Sequence, residues 1–183
     1  MKTFLEIGCA DFDTLIPLAM KGGWRGCCVE PIPHHVKTLK GMASNLPVLV
    51  VEAAVSNYDG QIQMAVGGGQ DWAEGASHIV APNHTGSRLL DLPANQSLRK
   101  DTIEVECIRL DTLIDKHKIT EIDFCKIDVE GHEEAILRDY SWKVKPKFMR
   151  VEHKHTPGDT IDRILTPLGY TLFVEIDDVY AVL

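Results

Sequence analysis

The sequence of 183 residues predicts an α/β fold built on a mostly parallel, Rossmann-like sheet. Short apolar runs typical of buried strands alternate with stretches of helical period. The runs at 3–7, 26–29 and 122–127 end at a glycine or a carboxylate, as strands do at the ligand-binding edge of such sheets. The last two runs, 170–175 and 179–183, flank a polar turn and predict a closing antiparallel hairpin. By length we expect one domain, 1–183.

The first strand, helix and second strand form the most informative unit. The strand at 3–7 stops at Gly8, a helical pattern follows at 15–20, and the second strand ends on Glu30, 22 residues after Gly8. In a nucleotide-binding βαβ unit the glycine lets backbone approach the ligand and the helix N-terminus faces it. The acid accepts hydrogen bonds from the ribose hydroxyls. The alternative is an ordinary α/β unit in which Glu30 is solvated.

The turn after the first strand lacks a complete phosphate-binding fingerprint. Ala10 and Asp13 stand where a dinucleotide site has its second and third glycines, and Asp11 adds a further carboxylate. An acidic turn repels pyrophosphate but suits a ligand with a ribose, a positive charge and no phosphate. S-adenosylmethionine, with its sulfonium and ammonium groups, is such a ligand.

The following elements extend the sheet. Pro33 is placed to begin a helix, and the β-branched run 47–51 predicts a parallel strand covered on both faces. After this strand Ala53 and Ala54 leave room for an adenine ring, although tight helix–sheet packing explains them equally well. The alternating run 102–108 predicts a strand, which we pair with 61–66 as an extension at the sheet edge.

The segment Gly67–Lys100 sustains no period and predicts a lid, a binding loop or disorder. Within it Trp72 and His78 either face a substrate or pack locally. Beyond it, Asp111 stands where a helix N-cap is expected, ahead of an apolar helical pattern.

A second set of polar residues follows two later strands. Asp128 and Glu130 come directly after the strand at 122–127, and Glu133 and Glu134 fall in the first turn of the next helix. The strand at 148–152 likewise ends on a polar stretch, made up of Glu152, His153, Lys154 and His155. These carboxyl ends should lie at the same edge as Gly8 and Glu30.

Charge and cysteine content exclude several classes. The net charge of −8 argues against nucleic acid as a partner, because binding to its backbone requires positive charge. The five cysteines lie in or beside apolar runs and are odd in number, which favours core thiols in a reducing cytoplasm over disulfides. Glu6 interrupts the N-terminal apolar run, and no later run reaches membrane length, so we expect neither a signal peptide nor a membrane anchor.

Several motifs together resemble the FkbM family of S-adenosylmethionine-dependent methyltransferases. The resemblance runs over nearly the whole chain, through 6–8, 29–31, 53–60, 109–113 and most specifically Asp123-Phe124-Cys125-Lys126-Ile127-Asp128-Val129-Glu130-Gly131-His132-Glu133. It implies a class I methyltransferase fold, with seven strands of which one is antiparallel, and methyl transfer to a hydroxyl of a sugar or small metabolite. With the strand-tip reasoning, it assigns cofactor binding to Glu6, Gly8, Cys9, Ala10, Asp11, Glu30, Pro31, Ala53, Ala54 and Asp128.

Methyl transfer also needs an acceptor for the hydroxyl proton. We predict that Asp128 orients the methionine amine or the methyl acceptor, with His132 or His153 as general base; capping and salt-bridge roles for these histidines remain open. A variant has Asp128, His132, Glu152, His153 and His155 converging on a divalent cation, but it is not favoured, and no metal ligand is assigned.

Two rival functions remain at this point: an NAD-dependent oxidoreductase, since Glu30 suits an NAD ribose equally well, and a catalytically inactive nucleotide-binding module. The identity of the acceptor and the oligomeric state do not follow from the sequence.

Overall fold

A computed structural model describes residues 1–66, 77–79, 101–156 and 159–183 of the chain. Most of the segment Gly67–Lys100, including Trp72, therefore lies outside the described residues, as does the side chain of His78. The predictions made for that segment stay predictions.

The described residues form strands and short helices in alternation. The strands are β1 (Lys2–Ile7), β2 (Trp24–Glu30), β3 (Val48–Glu52), β4 (Ala54–Ser56), β5 (Gly60–Val66), β6 (His78–Ile79), β7 (Asp101–Arg109), β8 (Phe124–Ile127), β9 (Phe148–Glu152), β10 (Thr171–Val174) and β11 (Asp178–Val182). The helices are α1 (Ile16–Met20), α2 (Pro33–Met42), α3 (Leu110–Lys116), α4 (Glu133–Asp139) and α5 (Thr160–Leu165), the last extended by a 3₁₀ turn at Thr166–Leu168.

Seven strands form the main sheet in the order β10-β11-β9-β8-β1-β2-β3. The pairs from β9 through β8, β1 and β2 to β3 are parallel, whereas β11 runs antiparallel to both of its neighbours. The predicted fold, a mostly parallel seven-stranded sheet with an antiparallel C-terminal hairpin, is confirmed. Because β1 lies at the centre, the tips of β2 and β8 flank its carboxyl end.

A second sheet of four described strands has the order β4-β7-β5-β6. The predicted pairing of β5 with β7 is confirmed and is antiparallel, with Ile62 opposite Val105. The two strands belong to this separate sheet, however, and not to the edge of the main one. Their apolar faces bury Ile62, Met64 and Ile79 beside Ala54.

Two local expectations are wrong. The strand β3 is only partly covered, with Leu49 41% exposed, because it is the outermost of the described strands of the main sheet and, among them, pairs only with β2. Asp111 is not the N-cap of α3: it lies in the first turn, and its carboxylate instead accepts hydrogen bonds from the backbone N–H and hydroxyl of Ser141 at 2.9 and 2.6 Å. By contrast, α2 begins at Pro33, as predicted.

The core is apolar and contains the thiols. All five cysteines are buried and unpaired, as expected of core thiols. No helix in the described ranges has the length and apolar character needed to cross a bilayer.

Candidate active site

A cleft opens at the carboxyl edge of the main sheet. Its described lining comes from the ends of β1, β2, β3, β8 and β9 and from the apolar face of the second sheet. Glu30 and Asp128 both face it, so the two acidic strand tips open onto one cleft. Of the residues that the sequence assigns to cofactor binding, those that line it are Gly8, Cys9, Ala10, Glu30, Pro31, Ala53, Ala54 and Asp128.

Gly8 brings the ends of β1 and β8 together. Its φ of +76° lies in the left-handed region, and a Cβ atom there would sit 1.8 Å from the carbonyl oxygen of Asp128. The backbone N–H of Asp128 in turn donates to the carbonyl of Ile7 at 2.9 Å. A side chain at this position would therefore clash with the protein's own backbone. Glycine is needed here because it lets the ends of the two strands lie this close together.

The carboxylate of Glu30 organises the turn after β1. One oxygen, Oε2, accepts hydrogen bonds from the backbone N–H groups of Cys9 and Ala10 at 3.1 and 3.0 Å. The other, Oε1, accepts one from Ile32 at 2.9 Å. Burial raises the pKa of Glu30, and these amides oppose that rise. Since a carboxylate oxygen can accept two hydrogen bonds, Oε1 retains capacity for a ligand hydroxyl.

The rest of this turn is held in an unusual conformation. Ala10 has φ +44°, a left-handed value at a position where nucleotide-binding turns often carry glycine. Asp11 is outside the described lining of the cleft, but its Oδ1 lies 3.3 Å from Nδ1 of His35, a side chain only 3% exposed that does line the cleft. Sequence reasoning missed His35, because a histidine within a helical run gives no signal of the direction it faces.

Glu6 and Lys126 form a buried ion pair beneath the cleft. They are register partners on β1 and β8, with Nζ of Lys126 3.7 Å from Oε1 of Glu6. Glu6 lies outside the described lining. Its Oε2 accepts hydrogen bonds from the hydroxyl of Thr14 and the N–H of Leu15, which fixes the start of α1.

The ammonium of Lys126 also joins the turn to the tip of β8. It donates to the carbonyl and carboxylate oxygens of Asp13 at 2.6 and 3.0 Å and lies 3.7 Å from Oδ2 of Asp128. Burial alone would lower the pKa of Lys126, but these carboxylates hold it above its usual value. The sequence signal for Lys126 was a charge inside an otherwise apolar strand, which is rare unless the charge is paired.

The far end of the cleft is crowded with carboxylates. Asp128, Glu130 and Glu152 line it, from the tips of β8 and β9. Burial, together with the charges of Asp128 and Glu130, raises the pKa of Glu152 to about 9. Oε2 of Glu152 is shielded from solvent and finds no hydrogen-bond partner among the described residues.

The predicted histidines occupy different places. Nε2 of His132 is 2.7 Å from Oγ of Ser56, beneath the second sheet, and a ring nitrogen of His153 lies 3.2 Å from the carbonyl oxygen of Glu175. Neither belongs to the described lining of the cleft. His155 instead reaches the carboxylate end, with Nε2 3.2 Å from Oε2 of Glu130.

The opposite end of the cleft is apolar. Ala53 joins β3 to β4 and Ala54 begins β4, and the apolar residues that line this end with them are Val29, Ile32, Val55, Met64 and Ile79. The prediction that Ala53 and Ala54 leave room for an adenine ring stays a prediction.

These features define a Rossmann-like α/β protein with one elongated acidic cleft at the carboxyl edge of its sheet. The chain matches the model of the methyltransferase FkbM domain over residues 6–179 and belongs to that family. A comparison with curated protein sequences gave no match. An X-ray structure titled precorrin 8w decarboxylase, from Methanobacterium thermoautotrophicum, aligns with a TM-score of 0.47 at 14% identity, covering 99% of this chain and 80% of that one.

Proposed function

We propose that the protein transfers the methyl group of S-adenosylmethionine to a hydroxyl of a sugar or another small metabolite. The observation that carries this proposal is that two acidic strand tips, Glu30 on β2 and Asp128 after β8, line the same cleft. Family membership supports methyl transfer in general. The choice of cofactor rests on the charge and shape of the cleft.

The cleft suits a cationic adenosine compound along its length. The apolar end at Ala53 and Ala54 takes the adenine, and the remaining capacity of Glu30 takes a ribose hydroxyl. Asp128 then faces the methionine ammonium. Lys126 adds positive charge nearby, but the three carboxylates around it outnumber it, so the cleft keeps a negative field that attracts a sulfonium ion.

The reaction is an in-line displacement. The acceptor oxygen forms a bond to the methyl carbon while the carbon–sulfur bond breaks, and sulfur keeps the electron pair as the neutral thioether. The hydroxyl proton passes to the carboxylate of Asp128 or Glu130 at the acidic end of the cleft. The fold contributes mainly by holding the two reactants in line. The roles proposed for His132 and His153 as general base require variants to test them.

A nicotinamide-dependent oxidoreductase is the rival reading. The pyrophosphate of NAD would meet the turn bearing Asp11 and Asp13, where the structure offers carboxylates and where Glu30 already occupies the amides of Cys9 and Ala10. That arrangement disfavours phosphate binding. The buried, unpaired thiols support a reducing compartment such as the cytoplasm for this activity.

A ligand comparison by thermal denaturation tests the proposal. We expect S-adenosylhomocysteine to raise the melting temperature of the protein, since a ligand that binds only the folded state stabilises it, while NAD at equal concentration does not. Stabilisation by NAD alone would favour the oxidoreductase. No effect of either compound would favour an inactive domain.

A further inference from the structure

Three side chains at the carboxylate end of the cleft could together bind one metal ion. A carboxylate oxygen of Glu130, one of Glu152 and a ring nitrogen of His155 all lie within 4.8 Å of one another. Around an ion with ligand bonds of about 2.0–2.2 Å, neighbouring ligand atoms stand about 3–4 Å apart. The 3.2 Å between Nε2 of His155 and Oε2 of Glu130 already meets that spacing.

One of these three side chains has a carboxylate oxygen that lacks a partner. Oε2 of Glu152 is buried without a hydrogen bond from any described group, although a buried carboxylate oxygen is costly in that state. Its neighbours Asp128 and Glu130 are also acidic, so they repel a charge on Glu152 instead of neutralising it. A cation bound to the carboxylate of Glu152 would offset this repulsion and neutralise the buried group. The shielded oxygen without a partner distinguishes this cluster from an ordinary group of solvated surface carboxylates.

The two loops that carry the ligands are fixed by one further carboxylate. Oε1 of Glu133, which is fully buried, accepts the backbone N–H groups on either side of Glu130, those of Val129 and Gly131, at 2.9 and 3.2 Å. Its Oε2 accepts the hydroxyl of Thr156, the residue after His155, at 3.2 Å. Glu133 thus ties both loops together and orients the ligands, as supporting residues of metal sites do.

We propose that Glu130, Glu152 and His155 bind a divalent transition-metal ion at the acceptor end of the cleft. Two carboxylates and one imidazole form a mixed donor set, for which Mn²⁺ is a better match than Mg²⁺ or Ca²⁺, both of which favour oxygen ligands alone. The role assigned to the ion rests on the proposed function. Beside Asp128, it would polarise the acceptor hydroxyl and ease loss of its proton.

The experiment is a calorimetric titration of the chelator-treated, dialysed protein with MnCl₂. We expect saturable binding of one ion by the wild-type chain, weakened at least about 10-fold in His155→Ala and in Glu130→Gln. His153→Ala is the matched control. It removes an imidazole two residues away that contacts Glu175 and is not part of the cluster, and it should bind Mn²⁺ as the wild type does.

Two results would overturn the proposal: no saturable Mn²⁺ binding by the wild-type chain, or binding that the His155 and Glu130 variants retain in full. Thermal denaturation with chelator present shows that each variant is folded. If one is not, the other still decides the question, since each removes one ligand. Tighter binding of Mg²⁺ or Ca²⁺ than of Mn²⁺ would contradict the role of the imidazole.

The same samples separate this inference from the proposed function. Titration with S-adenosylhomocysteine in the presence of chelator measures the cofactor site without metal. Cofactor binding without Mn²⁺ binding would remove the metal site and leave the methyltransferase proposal in place. Mn²⁺ binding without binding of S-adenosylhomocysteine would contradict the methyltransferase proposal and leave the metal site in place.

Discussion

Two glutamates at the same edge of the sheet show how differently the two ends of the cleft are built. Glu30, at the tip of β2, accepts hydrogen bonds from three backbone N–H groups, those of Cys9, Ala10 and Ile32. Glu152, at the tip of β9, keeps a buried oxygen without a partner in the described part of the chain. The carboxylate of Glu30 is thus satisfied by the protein's own backbone, whereas the carboxylate of Glu152 keeps an oxygen that the described residues leave unsatisfied.

Because the two glutamates differ in this way, we expect substitutions at the two ends of the cleft to have opposite effects on the stability of the protein. Changes at the Glu30 end should destabilise the fold, because the carboxylate holds the turn in place. Changes at the Glu152 end should stabilise the empty protein while weakening ligand binding, as is common for strained functional sites. Lys126 lies between the ends and contacts carboxylates that belong to both.

The largest expected effect is at Lys126. Lys126→Met should lower the free energy of unfolding by about 3–5 kcal/mol, because it leaves Glu6 buried opposite an uncharged side chain. Denaturant unfolding measures this. The control is Lys147→Met, which removes an exposed lysine paired with Asp123 at the other end of the sheet and should change little. A similar, small change in both variants would mean that the buried pair does not support the edge.

Next in size is Glu30→Gln. Its side-chain NH₂ would face backbone N–H groups, so we expect a loss of about 1–3 kcal/mol in unfolding free energy together with weaker binding of S-adenosylhomocysteine. The control is Glu52→Gln at the register partner on β3, whose side chain is 49% exposed. If Glu30→Gln were as stable as the wild type, the turn would not depend on this carboxylate.

The smallest effect has the opposite sign. Glu152→Gln should raise the unfolding free energy of the chelator-treated protein by about 1 kcal/mol, because a neutral amide is not repelled by Asp128 and Glu130 and its NH₂ group can donate to their carboxylates. Glu121→Gln, a half-exposed glutamate paired with Arg25, should have no such effect. Destabilisation by Glu152→Gln would show that the two ends of the cleft do not differ in the way described.

Much of this edge was predictable because it depends on local pattern. The stop at Gly8, the acid at Glu30 and the carboxylate after β8 follow from strand length and turn residues, and all three positions line the cleft at one edge of the sheet. The start of α2 at Pro33 is of the same kind.

The other features of the cleft depend on tertiary structure, which the periodicity of the sequence does not reveal. The pairing of Lys126 with Glu6 requires the register of β1 against β8. The exposure of β3 depends on its position as an outer strand, which an apolar run does not reveal. His132 is close in sequence to the end of β8, but that does not determine where its side chain points, and its ring nitrogen contacts the hydroxyl of Ser56. The cluster at His155 likewise forms only when β9 lies beside β8.

The most direct test compares two ligands in one variant. Calorimetry should measure binding of S-adenosylhomocysteine and of methylthioadenosine, which lacks the amino-acid end, to the wild type and to Asp128→Asn. Asp123→Asn, at the other end of β8, is the control. We predict that Asp128→Asn weakens S-adenosylhomocysteine about 10-fold, equal to about 1.4 kcal/mol, and leaves methylthioadenosine unchanged. Unaltered binding of S-adenosylhomocysteine, or equal loss of both ligands, would contradict a cleft that holds one cofactor between Glu30 and Asp128.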